Sequence, residues 1–300
     1  MSDSNKKEPL NTSNLEDRKI KEIEHSRQRR TILQGFERHS DTNKDGQADN
    51  LDELIRDKEA FKKHYSNIKF YSVTQSSEDY LHNWLSEKCN LDVSVLDFGC
   101  GNGENGIFAA QCGANVTGVD ISPEGVENAN LNAQQADVSD HCKFQVMDGE
   151  NMEFSDNTFD FAVEYGVLHH VDLNASMKEL KRVLKPDGEM ICVEALRHNP
   201  LIHLYRKMTP HLRTEWEYEH ILSVKDLNVA RKNFHEVEVK FFHLAVLAAV
   251  PFRKTPIFGF LCKILDKIDK VLLKGEFIGK YGWVMVFTMK KPKKQTQEEL

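Results

Sequence analysis

Residues 97–106 read D-F-G-C-G-N-G-E-N-G, with glycines at 99, 101, 103 and 106. Glycine lets a backbone turn sharply and lets a ligand approach it closely. A helix that follows such a turn offers unpaired N–H groups at its start. Gly101 to Gly106 forms a G-x-G-x-x-G, and Asp120 stands 21 residues beyond Gly99. That is the place at which a carboxylate takes ribose hydroxyls in nucleotide-binding α/β folds. Two more acids flank the turn: Asp97, two residues before its first glycine, and Asp148, which ends "FQVMD" with Met152 close behind. "GVLHHV" adds His169 and His170, side chains that titrate near neutral pH and can move a proton.

The elements that must position these residues alternate. "SVLDF", "ANVTGVD", "CKFQVMD", "TFDFAVEYG" and "GEMICVEAL" are short apolar runs, separated by helical stretches at 104–112, 123–136 and 174–184. Strand–helix alternation of this kind predicts a parallel sheet with right-handed crossovers. Near-continuous apolar strands predict cover on both faces. "HEVEVKFF" (235–242) and "GWVMVFTM" (282–289) read as two later strands. Asp97, facing the turn, would repel a pyrophosphate and favour a ligand with an ammonium and a sulfonium. Asp148 is placed to accept from an adenine amino group. The set therefore fits S-adenosylmethionine better than NAD. An NAD(P)-dependent oxidoreductase on the same turn is the alternative, disfavoured by Asp97 and by the lack of a separate catalytic domain.

"VLDFGCGNGENG", "VTGVDISPEGVENA", "FQVMDGENMEFSDNTFDFAVEYGVLHHV" and "ELKRVLKPDGEM" stand in an order and spacing that resemble the class I S-adenosylmethionine-dependent methyltransferases, in the methyltransferase domain 11 group. The resemblance covers about residues 90–195. It implies an α/β, Rossmann-like doubly wound seven-stranded sheet whose last strand is antiparallel, with 235–242 and 282–289 filling the last two places. It further implies that Asp97, Gly99 and Gly101, with Cys100 between them, hold the methionine part of the cofactor. Asp120 would bind ribose, Ile121 would pack on adenine, and Asp148 and Gly149 would meet the adenine edge. Glu164 and Tyr165 would lie beside the methionyl group and the acceptor. His170 and His169 are the candidate bases, set against a role in orienting the loop or no protein base at all. "LKPDG" reads as a structural helix-to-strand turn.

The rest of the chain bears on the acceptor. Domain boundaries are expected at 1–15 (a polar tail), 16–90 (an N-terminal helical cap), 91–290 (the α/β domain) and 291–300 (a second tail). In the cap, "SSEDYLHNWLSEKC" is a helix with Ser76 or Ser77 as N-cap. Inserts fall at 197–224 and 243–280. The first mixes Arg206, Arg213, His203, His211, Tyr205, Trp216 and Tyr218, suiting an acidic or aromatic acceptor or simply a cap helix. The second carries an apolar stripe of Phe260, Leu261, Ile264, Leu265, Ile268, Val271 and Leu272. Lys263, Lys267, Lys270 and Lys274 stand on another face. Such a helix over 256–274 suits a lipid surface, a lid or a dimer face.

A net charge of −7 and the absence of a basic domain argue against nucleic acid as partner. Six scattered cysteines without a C-x-x-C pair suggest neither zinc nor a redox motif, no metal is expected, and they fit a reducing, cytoplasmic compartment. "DTNKDGQADNLD" (41–52) resembles a calcium loop, so a calcium sensor is the alternative of another class. Its twelfth place is Asp52 rather than Glu, and its eighth is Ala48. The expectation is a methyltransferase acting on a small-molecule or lipid-like acceptor at oxygen.

Overall fold

The computed structural model describes residues 16–42, 51–90 and 92–293. Seven strands form one sheet: β1 (Ser94–Phe98), β2 (Asn115–Asp120), β3 (Cys142–Val146), β4 (Phe159–Tyr165), β5 (Leu184–Ala195), β6 (Phe234–Phe242) and β7 (Val284–Pro292), in the order β3-β2-β1-β4-β5-β7-β6. β3 to β5 run parallel, and β7 lies antiparallel between β5 and β6. This is the doubly wound sheet expected from the sequence. Alternate residues of each strand enter opposite core layers. Val95, Val163, Ile191 and Val193 pack into one layer; Leu96, Ala162, Met190 and Cys192 pack into the other. Helices α4 (Gln75–Lys88), α5 (Glu104–Gln111) and α6 (Pro123–Gln135) cover the first face. α7 (Leu173–Val183) and α10 (Leu227–Asn233) cover the second. Burial on both sides is why these strands are apolar without alternation.

Two local expectations are corrected. The N-cap position of α4 falls at Thr74, one place before Gln75, not at Ser76 or Ser77, and its side chain makes no capping hydrogen bond. Thr74 Oγ1 lies 2.8 Å from Tyr71 O and 2.6 Å from Glu78 Oε1, with its one proton available to either, while Ser77 lies inside the first turn and donates to Thr74 O (3.0 Å). "KPDG" is not a free turn before β5 but part of it. Pairing with β4 jumps from Phe159↔Leu184 to Phe161↔Glu189, and the intervening residues bulge out. Lys185 Nζ holds Asp160 across that bulge at 2.8 Å.

Helix α1 (Asp17–Thr42) and α2 (Leu51–His64) pack on one another, followed by the single turn α3 (Ile68–Tyr71). Residues 43–50, the middle of the calcium-like loop, the tail 1–15 and residues 294–300 of the expected tail 291–300 lie outside the described residues, whereas Lys291 and Pro292 belong to β7 rather than to a tail. After β5 come α8 (Pro200–Met208) and α9 (Glu215–His220). After β6 come a 3-10 turn (Val246–Phe252), α11 (Phe258–Leu272) and α12 (Glu276–Gly279). The stripe expected on α11 divides. Leu261 and Leu265 join Phe258 and Cys262 against the core, whereas Phe260, Ile264, Ile268, Val271 and Leu272 face outward. The helix is oriented by Asp269, which is buried and accepts from the N–H groups of Leu244 (3.1 Å), Ala245 (2.7 Å) and Val246 (3.1 Å). No helix among the described residues is long and apolar enough to cross a membrane.

Candidate active site

The carboxyl ends of β1, β2, β4 and β5 open into a cavity of about 460 Å³, roofed by α1 and closed on the far side by α3, α8 and α9. Its size is within the range of small-molecule sites. Gly99, Asp120, Ile121, Asp148, Gly149, Tyr165, His169 and His170 all line it. Asp97, Cys100 and Glu164 are buried behind the wall, and Gly101 stands in the glycine turn just outside the lining. Eight of the twelve candidate residues thus share one surface, and the other four lie outside the lining.

Asp97 and Glu164 have structural work. Asp97 is buried, and its Oδ2 accepts from Gly106 N–H at 2.9 Å, tying the end of β1 to the first turn of α5. Burial pushes its carboxyl up to about 7, against the pull of that hydrogen bond. Gly99, Gly101 and Gly103 have φ of +70°, +54° and +85°, the left-handed region that glycine tolerates. A Cβ at Gly99 would overlap the Val167 side chain, while one at Gly101 would meet nothing within 4 Å. The turn therefore presents bare backbone toward open space. Glu164 is fully buried, and its Oε1 accepts from Val167 and Leu168 N–H. Its Oε2 has no hydrogen-bond partner. Burial, then the charge of Glu194, hold its carboxyl well above the usual range.

Asp120 presents its carboxylate from the end of β2. Oδ2 accepts from Gly101 N–H (2.9 Å) and Oδ1 from Ser122 N–H (2.8 Å). Each oxygen keeps a second acceptor site for a diol. Asp148 is more occupied than its sequence suggests. Lys19 Nζ lies 2.6 Å from Oδ2, and Glu150 N–H donates to Oδ1 at 3.0 Å. Lys19 also meets Glu150 at 2.9 Å, as does Arg18. These pairs fasten the first turns of α1 over the ends of β3 and β4.

The two histidines have opposite states. His169 Nδ1 lies 2.6 Å from Glu194 Oε2, a residue the sequence reading missed. Burial, with the neighbouring His170 charge, lowers its pKa to about 3, so the ring is neutral. Glu194, whose other oxygen accepts from Leu168 N–H at 2.6 Å, is pushed up by burial to about 7. His170 Nδ1 donates to Glu22 Oε2 of α1 at 2.9 Å. Burial opposes its charge, but the Glu22 hydrogen bond and the charges of Glu217, Glu22 and Glu194 prevail and raise it to about 9. Thr214 donates to the other Glu22 oxygen. His170 is therefore cationic at neutral pH. Ligand-capable atoms of His169, His170 and Glu217 lie within 4.8 Å of one another. Arg213 Nε already sits 3.2 Å from Glu217, however, and with His170 charged the trio is held by hydrogen bonds and charge rather than set out for a cation.

The donor set and the open backbone at Gly101 fit S-adenosylmethionine: a carboxylate for the ribose, glycine backbone at the turn, and apolar Ile121 and Met147 for a base. A family model for the methyltransferase domain matches residues 96–192. The chain carries a class I S-adenosylmethionine-dependent methyltransferase domain. The chain is 38% identical over 122 residues to sterol 4-C-methyltransferase strm-1 of Caenorhabditis elegans, covering 40% of this chain and 36% of that one. It is 36% identical over 112 residues to the ubiquinone/menaquinone biosynthesis C-methyltransferase UbiE of Rickettsia felis, covering 35% of this chain and 45% of that one. The chain thus spans less than half the length of these curated relatives. Among solved structures, the [4+2]-cyclase SpnF shares the fold, with a TM-score of 0.50 and 18% identity over 73% of this chain and 83% of that one. The cofactor of the methyltransferase domain is S-adenosyl-L-methionine.

Proposed function

We propose that this chain transfers a methyl group to a small, largely apolar acceptor at oxygen, inside the cavity beneath α1. The observation that carries the reading is the two-ended lining of a single cavity. Gly99, Asp120, Ile121 and Gly149 stand at one end; Phe70, Ile202, Tyr205 and Trp283 stand at the other. Asp120 and the glycine turn would hold the cofactor, which when bound supplies an electrophilic methyl on sulfonium. The enclosing walls position the acceptor and exclude water, and positioning supplies much of the rate of such a displacement. His169 is the better base of the two histidines, because it is neutral while His170 is charged. Its Nδ1 rests on Glu194, which leaves Nε2 to accept the acceptor's hydroxyl proton and Glu194 to balance the charge that results.

Carbon is the second reading, favoured by the relatives, whose names specify C-methylation of a sterol and in ubiquinone/menaquinone biosynthesis. There the same base would remove a proton after methyl arrival. The test uses methyl-labelled S-adenosylmethionine with fractionated lipids, quinone precursors and polar metabolites, followed by mass spectrometry and NMR of the labelled product. An O–CH3 signal supports the first reading and a C–CH3 signal the second. No labelled product in any fraction contradicts both.

A lipid surface as the source of the acceptor belongs to the same proposal, with the protein in the cytoplasm. On and beside α11, Phe260, Val271 and Phe277 are 67%, 66% and 84% exposed, and Lys263, Lys267, Lys270 and Lys274 are exposed among them. Apolar side chains framed by lysines suit an anionic membrane face. Flotation with phosphatidylserine-containing vesicles at low salt is expected, and Phe260→Glu with Phe277→Glu abolishes it. Wild-type protein that stays with the soluble fraction contradicts the membrane reading, and a dimer in light scattering would assign the face to a second copy.

A further inference from the structure

Arg206 is a buried cation without a counter-ion. It lies on α8, is 3% exposed and lines the cavity. Its Nη1 donates to Leu196 O at 2.8 Å. No carboxylate among the described residues lies within salt-bridge distance of it. A guanidinium has five N–H donors in a planar fork, so most of its capacity is unused. A buried charge without a partner is strongly destabilising, and such a group persists when a ligand completes it.

The acids around it are already engaged. Glu217 closes on Arg213 at 3.2 Å. Glu22, from α1, is held by His170 and Thr214. Glu194, from β5, is held by His169 and the Leu168 N–H. Arg206, Arg213 and Glu217 together leave one net positive charge facing the cavity. Burial, followed by the neighbouring Arg213, lowers the Arg206 pKa to about 10, still charged at neutral pH.

We infer that the methyl acceptor is a monoanion, a carboxylate on an aromatic or alicyclic frame, and that Arg206 with Arg213 reads the carboxylate. This rests on the cavity being the acceptor site of the proposed methyl transfer. Two carboxylate oxygens match the guanidinium fork in a bidentate pair. The single net charge of this trio matches the single charge of a carboxylate. The frame follows from the adjacent wall. Phe70 stands edge-on to Tyr205 (4.8 Å between centroids) and Trp283 (5.9 Å), and Ile202 and Leu212 complete it.

The test compares 2-naphthoate with 2-naphthalenemethanol, and cyclohexanecarboxylate with cyclohexanemethanol, by calorimetry on the full chain saturated with S-adenosylhomocysteine. In wild type the acid of at least one pair is expected to bind roughly tenfold or more tighter than its alcohol. Arg206→Gln should erase that preference while S-adenosylhomocysteine affinity stays within about twofold, and Arg213→Gln should weaken it. Arg206→Lys keeps the charge without the fork, and is expected to fold and to keep only part of the preference. It serves as the reading if Arg206→Gln loses its melting transition. Acid and alcohol bound equally, or neither bound, overturns the inference. So does an Arg206 variant that loses the homocysteine product and the acid together, because the guanidinium would then serve the cofactor's own carboxylate. Wild type that fails to bind S-adenosylhomocysteine would instead sink the methyl-transfer reading, and the acid preference of the cofactor-free protein would still be measured.

Discussion

Replacing Glu22 with Gln isolates the contact by which α1 closes the cavity. In the native protein Glu22 accepts from His170 Nδ1 at 2.9 Å. His170 is raised from its ordinary 6.5 to about 9, against a burial effect that alone would lower it. A displacement of roughly 2.5 pH units corresponds to ~3 kcal/mol in favour of the charged ring. That figure is an upper bound, because the side chain is 31% exposed and solvent screens the pair. Gln keeps an oxygen for Thr214 and removes the charge. Two-dimensional 15N spectra of the histidine rings, recorded from pH 5 to 10, are expected to show His170 titrating near 9 in wild type and below about 7 in Glu22→Gln. The stability consequence has a definite sign. His170 is raised, so its contribution is complete below 6.5 and is lost as pH climbs from 6.5 to about 9. Glu22 is lowered by His170, once burial is overcome, so its contribution is complete above 4.5 and is lost on acidification below that. Wild type should therefore lose melting temperature between pH 6.5 and 9. The variant, destabilised by about 1–3 kcal/mol at pH 6, should show a flatter profile there. A wild-type His170 that titrates near 6.5, or an unchanged titration in the variant, would refute the reasoning.

Two other substitutions probe the site from different sides. Gly99→Ala forces a side chain into φ +70° and onto Val167; a backbone cost of about 1–2 kcal/mol plus the overlap should lower the melting temperature and weaken S-adenosylhomocysteine binding by roughly tenfold. Scanning fluorimetry and calorimetry check this, and an unchanged melting curve contradicts it. His169→Gln preserves a hydrogen bond to Glu194 but removes the base, so kcat on an oxygen acceptor should fall by about 10²–10⁴-fold with cofactor affinity unchanged. Turnover and pH profile equal to wild type would take His169 out of the reaction.

The sheet was legible because its strands are covered on both faces, which forces continuous apolar runs, and because turn-forming glycines punctuate them. The cofactor end was legible for the same reason: Asp120 and Gly149 stand where strands end, and strand ends can be read. Glu194 was missed although a signal existed, a lone acid inside the apolar run "MICVEAL". Arg18, Lys19 and Glu22 carried no such signal. α1 is charged around most of its circumference, so the side chains that line a cavity look like those that meet water. That Lys19 would pair with Asp148, 129 residues away, depends on how the helix docks. Asp97 and Glu164 show the converse limit. An acid at a strand end can face a ligand or feed backbone N–H groups from behind, and the two look alike until burial is known. Arg206 was readable as one cation in a basic–aromatic insert; its burial without a partner was not.

The central claim is that S-adenosylmethionine binds at the glycine turn with Asp120 on its ribose. The most direct test is calorimetric titration of S-adenosylmethionine, S-adenosylhomocysteine and NADH into wild type and Asp120→Ala. One site for the two adenosyl compounds, with a dissociation constant on the order of 1–100 μM as for typical enzyme substrates, is expected. It should weaken at least roughly tenfold in Asp120→Ala, and no heat should appear with NADH. Binding of NADH in preference, or adenosyl binding untouched by Asp120→Ala, would contradict the account.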